Sequence, residues 1–214
     1  MPHHVKSRRR YDSSRRRADA AARRQAVLTS ARELFLQHGF AATTVAAVAD
    51  RADVSPETVY KYFGGKPGLV RALHDRALLG EGPVPAEHRS DSLRANTDAL
   101  EVVRGWARLT TEVAPRAAPI LLLVRDAATV DTAMRRLLAE LDDTRHRRMT
   151  DNAQFLHSTG QLRPGVTTQM AADLLWSVTA PEMFELLVRR RRWSIEQYAD
   201  FVYNTIAHGL LATA

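Results

Sequence analysis

The chain has 214 residues, 45% hydrophobic and 26% charged, a balance that allows a real core and excludes an intrinsically disordered protein. It contains no cysteine, which excludes disulfides, thiolate metal sites and cysteine nucleophiles. The formal charge of +7 sits at one end: nine Lys and Arg against two Asp up to residue 24, with a neutral remainder.

Residues 1–20 therefore form a basic arm, expected to be disordered to about residue 18. It is either a solubilising tail or a tethered polycation whose natural partner is a polyanion. It has no apolar helical face for an anionic membrane and no apolar core of a signal peptide. The longest apolar run, 117–124, contains a proline and is too short to span a bilayer. The expectation is a soluble cytoplasmic protein with no membrane partner.

From about Asp19 the spacing of Val27, Ala31, Leu34 and Phe35 predicts a helix that ends at His38-Gly39. Thr43 or Thr44 offers an N-cap for a second helix with Val45, Val48, Ala49 and Ala52 inward. Ser55-Pro56 starts a third, because Ser caps well and Pro at the first position gives up an N–H that lacks a partner anyway. Gly64-Gly65 ends it, and Lys66-Pro67 opens a fourth with Leu69, Val70, Leu73 and Ala77 inward.

Gly80 to Asp91, rich in Gly, Pro and charge, reads as a linker. Helices are predicted beyond it over about 92–113, 116–128, 132–158, 167–189 and 195–212. Asp131 caps the third of these, Pro181 kinks the fourth, and Ser194 with Gln197 opens the last with a capping box. No segment has the period of a strand, so the fold class is all-α. The organisation expected is a helix-turn-helix domain over 21–79, its fourth helix bridging, and a second helical domain over 80–214.

The second and third helices have the form of a helix-turn-helix, in which the second member enters the major groove. Ala49 is the small residue at their crossing, Asp53 stands at the turn, and Val48, Val54, Val59 and Phe63 supply the wedge. The run Phe35, Gly39-Phe40, Thr44, Val48-Ala49, Ala52, Val54-Ser55, Thr58-Val59-Tyr60, Tyr62-Phe63, Lys66 and Leu69 resembles the DNA-binding domain of the TetR family. The resemblance covers about residues 24–73. Asp53 replaces the usual turn glycine, Tyr62 the commonest histidine, and Pro67 the usual acidic residue.

The resemblance implies that Thr44 and Lys66 contact phosphates, that Tyr60 and Tyr62 contact the backbone, and that Pro56, Glu57, Thr58 and Lys61 face base edges. Ser55 caps the reading helix. Hydroxyls and Lys suit phosphate oxygens, Thr and Pro suit thymine methyls, and Lys donates to guanine. Glu57 either accepts from cytosine N4 or favours its own helix N-terminus. Tyr60 and Tyr62 could alternatively pack into the core.

The resemblance further implies an effector-binding and dimerisation domain in the C-terminal half. The last helix is apolar on two faces, Ile195, Val202 and Ile206 on one and Tyr198, Phe201 and Leu210 around it, which points to a homodimer through the last two helices. Trp106, Met149, Phe155 and Trp176 are candidate walls of a ligand pocket, or ordinary core. Arg125-Asp126 orients a polar effector or forms a structural ion pair. Arg189 to Arg192 is a second nucleic-acid patch or a solvated helix end.

The function expected is a sequence-specific regulator of transcription, a ligand-responsive repressor acting as a homodimer on a palindromic operator. Its partners are double-stranded DNA and a small-molecule effector. An activator would use the same reader, and a non-specific architectural DNA-binding protein is the rival reading. An enzyme is not expected: His157-Ser158 and Asp142-Asp143 with His146 assemble no nucleophile, base and orienter. No spacing suggests a metal, and no cofactor is expected.

Overall fold

The computed structural model describes residues 6–80 and 84–212, with side chains from residue 14 onward. Residues 1–5 of the basic arm lie outside the described residues. The chain divides into two compact units, one ending at Leu73 and the other beginning at His74. Helices make up both; among the described residues the only β pairing is an isolated bridge between Leu162 and Leu211.

In the first unit, α1 runs Lys6–Ala42, so the stretch expected to lack structure is helical from Lys6. Its Arg and Ala are strong helix formers, which extends the helix beyond the last core contact. At Gly39 the backbone turns to φ 79° and ψ 173°, and this kink ends the regular helix where the sequence placed its stop. Thr43 and Thr44 then divide the work. The buried Thr43 hydroxyl donates to the Gly39 carbonyl at 2.8 Å, satisfying a terminal carbonyl of α1. Thr44 caps α2 (Val45–Arg51), its oxygen accepting the Ala47 N–H at 3.0 Å.

The turn between α2 and α3 (Pro56–Phe63) is made by Asp53 at φ 53°, the left-handed conformation for which Gly is best suited. Its geometry is held by the Val54 N–H donating to the Ala49 carbonyl at 3.0 Å. Val27, Ala31, Phe35, Val48, Val59 and Leu69 are fully buried around it. Arg51 reaches Glu33 at 2.6 Å and ties α2 to α1, a half-exposed pair of modest worth.

α4 spans Lys66–Leu78, crossing from the first unit into the second. Gly68 in its first turn has no room for a side chain. A Cβ there would lie 1.6 Å from the Phe63 carbonyl oxygen, because the end of α3 presses directly on this turn.

The second unit departs from the sequence reading in three places. The expected linker holds α5 (Ala86–Leu93), fixed by buried Ala86 and by Arg89, which grips Glu112 with two hydrogen bonds of 2.7 and 2.6 Å. The two helices expected over 92–113 and 116–128 are one, α6 (Ala99–Ala128), with Pro115 and Pro119 inside it. Packing against α5 and against helices later in the chain overrides the local cost of proline. The reverse holds at Pro181: α8 (Thr168–Val178) stops outright, Ala180 is extended, and Pro181 opens the short α9 (Pro181–Phe184).

A π-helical turn, Glu185–Arg190, follows, and the chain re-enters with α10 (Ile195–Leu210) through the Ser194–Gln197 capping box. α7 (Thr132–Ser158), capped by Asp131, matches its expected bounds. In α10 the fully buried stripe is Tyr198, Val202, Ile206 and Leu210, so Tyr198 and Leu210 share a face with Val202 and Ile206. Ile195, Phe201 and Tyr203 are only partly covered.

Candidate functional site

The first unit presents one face of α3. Ser55 accepts the Thr58 N–H at 3.4 Å and Pro56 takes the first helical position, so the helix starts with its leading residues fixed. Val59 and Phe63, four residues apart, are buried, while Pro56, Glu57, Tyr60 and Lys61 face outward. Tyr60 is 57% exposed, so it is a surface residue and not part of the core. Thr58 and Tyr62 are half-buried, and the Tyr62 ring meets Phe63 edge-on at 6.2 Å.

Hydrogen bonds from the Ser55 hydroxyl and from its own N–H hold the Glu57 carboxyl below the usual range. Its charge thus sits on the helix N-terminus while the side chain stays fully exposed. Thr44 is exposed at the start of α2, and its hydroxyl hydrogen remains available to a phosphate. Arg24 of α1 lies 5.4 Å from the Phe63 ring, which places basic α1 beside the end of α3.

Lys66 stands differently from the other expected contacts. Its ammonium donates to the Phe40 carbonyl at 2.6 Å and sits 4.2 Å above the Phe40 ring. A cation is favoured at the carbonyl end of a helix, so Lys66 clamps α4 to the end of α1. A phosphate would have to compete with that contact.

The second unit contains a half-open cavity of about 250 Å³. α6 lines it with a helical stripe, Trp106, Leu109, Val113, Ala117 and Leu121, and α7 with Leu141, Arg145, Arg148, Met149 and Asn152. His74 and Leu78 from the end of α4, Leu175 from α8 and Ile206 from α10 complete the wall. Trp106 and Met149 therefore reach the cavity. Phe155 and Trp176 are not among the lining residues: Phe155 packs edge-on against Trp106 at 6.1 Å, and Trp176 lies under the Arg145 guanidinium at 4.6 Å.

Sequence reasoning passed over Arg145 and Arg148. Their signal was positional, since they share the register of Leu141 and Asn152, a buried stripe where charge is unusual. Arg125 bonds Asp126 at 3.0 Å and Glu182 at 3.1 Å, the structural ion pair of the two readings offered. Arg189 to Arg192 are all exposed. No group of three or more His, Asp or Glu that could hold a metal occurs among the described residues, and no helix there is long and apolar enough to cross a membrane.

Residues 27–73 match the family of bacterial regulatory proteins described as the tetR family. The chain is 26% identical over 195 residues to the HTH-type transcriptional regulator YdeS of Bacillus subtilis, covering 89% of this chain and 90% of that one. It is 42% identical over 55 residues to the HTH-type transcriptional repressor ComR of Escherichia coli, covering 26% of each. Its fold is similar to NalD, the secondary repressor of the MexAB-OprM multidrug efflux pump in Pseudomonas aeruginosa, with a TM-score of 0.71, 20% identity, and coverage of 92% of this chain and 100% of that one. With its capped, outward-facing α3 inside the matched segment, residues 27–73 of this chain carry the helix-turn-helix of the tetR family of bacterial regulatory proteins.

Proposed function

We propose that the chain is a ligand-responsive repressor working as a homodimer on a palindromic operator. The presented face of α3 carries this reading: Pro56, Glu57, Tyr60 and Lys61 project from a helix that Val59 and Phe63 anchor. Thr44, Ser55, Thr58 and Tyr62 flank that face, and the basic residues of α1 add non-specific attraction to phosphates. Lys66 serves the fold first and DNA only secondarily.

Dimerisation through α8 and α10 is supported by apolar side chains that the subunit leaves uncovered. Met170 is 55% exposed, and Leu174 and Phe201 are only partly buried. Two copies of each helix would make a four-helix interface about a two-fold axis, matching the symmetry of an inverted repeat. Repression is favoured over activation by the role of ComR, which resembles this chain over the reading segment.

The cavity supports a small-molecule effector, and α4 is the natural transmitter. It carries Lys66 at one end and the cavity residues His74 and Leu78 at the other. A ligand shifts the dimer away from DNA by no more than its differential affinity for the released state. Footprinting on the DNA flanking the chain's own coding region, with transcript levels measured after gene deletion, tests the reading. Two inverted protected half-sites and a rising transcript are expected. Uniform coating would favour the architectural rival, and a falling transcript an activator.

A further inference from the structure

The cavity wall is apolar along α6 but carries a guanidinium on α7 that the protein itself leaves poorly matched. Glu87 and Arg148 both line the cavity, and Arg148 is already engaged, at 2.7 Å from Asp91 and 3.7 Å from Glu87. Arg145 is matched more loosely: its ion pair with Asp142 spans 3.9 Å, and among the described residues its hydrogen bond goes to the Trp176 carbonyl at 2.7 Å. Its Nε is buried without a hydrogen-bond partner.

Two further buried donors lie near Arg145, off the cavity wall. The indole N–H of Trp176, whose ring lies under the guanidinium, is also buried and unpartnered, as is the hydroxyl of Tyr198. Burial works against the charge of Arg145, with Asp142, Glu182 and Tyr198 opposing that effect only in part. A buried cation with an unused N–H is costly unless an acceptor arrives.

Building on the effector reading above, we infer that the ligand is an amphipathic anion: an apolar body lies along Trp106, Leu109, Val113 and Ala117, and its anionic head group is held by Arg145. A charge-assisted hydrogen bond in a site of low polarity rewards an anion, tolerates an alcohol and rejects a quaternary cation. The α6 stripe gives affinity with little shape demand; Arg145 sets the sign of the charge accepted.

Three probes with one ten-carbon tail test this: decanoate, decanol and decyltrimethylammonium, titrated calorimetrically into the full chain. Decanoate is expected to bind at least about tenfold more tightly than decanol, with the ammonium weakest. Arg145→Gln should bring decanoate down to the level of decanol and leave decanol unchanged, while Arg145→Lys should restore part of the difference. Thermal melts establish that each variant is folded. If Arg145→Gln does not fold, the probe series on the unaltered chain and Arg145→Lys decide.

Equal binding of the three probes, no binding of decanoate, preference for the ammonium, or unchanged selectivity in folded Arg145→Gln would overturn the inference. Anisotropy of the footprinted duplex in the same solutions separates the two readings. DNA release by decanol or the ammonium alone would sink the anion assignment while sparing ligand response. Decanoate binding with no change in DNA affinity would do the opposite.

Discussion

Asp53 carries backbone strain and Tyr198 an unmet hydrogen bond, each of which a single substitution relieves. Asp53 holds φ 53° at the helix-turn-helix turn, a conformation costing an L-residue about 1 kcal/mol. Asp53→Gly should raise the stability of the first unit by up to about that amount, with DNA affinity unchanged, as read by urea unfolding and anisotropy; a loss of stability would mean the carboxylate makes a compensating bond. Tyr198 buries a hydroxyl without a partner, and burial, opposed by Arg145, pushes its ionisation up to about 12. Because the unfolded chain releases this proton first, near 10, the native state binds more protons between about 10 and 12. Stability from this group is intact below 10 and falls as pH rises through that window, by roughly 3 kcal/mol in all. Tyr198→Phe should remove that part of the alkaline decline and gain about 1 kcal/mol at neutral pH. An identical alkaline profile in the variant would show that the phenol is not the group responsible.

At the scale of elements, tertiary contact decides where local signals conflict. The caps that define α2 and α3 lie within four residues of what they cap, so Thr44, Ser55 and Pro56 announced those helices and the exposed face between them. α5 did not announce itself, because Ala86 and the Arg89–Glu112 grip act across the fold against a Gly, Pro and charge-rich composition. The prolines show the same rule with opposite results: Pro115 and Pro119 are absorbed by a helix packed on several sides, while Pro181 begins a new one. The grip of Lys66 on the end of α1 was not legible, because the carbonyls it binds are 25 residues or more away in sequence. The cavity was the least legible part, since Leu109, Val113 and Ala117 read as plain core until the opposite wall is known. Gly68 is likewise invisible to periodicity but sits against the Phe63 carbonyl. Gly68→Ala should destabilise the first unit by about 3 kcal/mol or more, seen as an early unfolding transition; a melt like that of the unaltered chain would mean α3 and α4 move apart at little cost.

For the whole molecule, charge and chemistry are divided between the units. The first gathers the chain's excess positive charge on α1 and exposes a nearly neutral face on α3, suited, as the proposed reader, to long-range attraction with short-range discrimination. The second unit has a cavity and a partly covered apolar surface on α8 and α10, the two features on which the proposed ligand-responsive dimer rests. The most direct test is selection of bound duplexes from a randomised pool by the full chain and by a Tyr60→Ala, Lys61→Ala double variant. The account predicts enrichment of one inverted repeat by the unaltered chain and its loss in the variant, with weak salt-sensitive binding retained. Enrichment of no sequence, or of the same repeat equally by both proteins, would contradict the claim that α3 reads DNA.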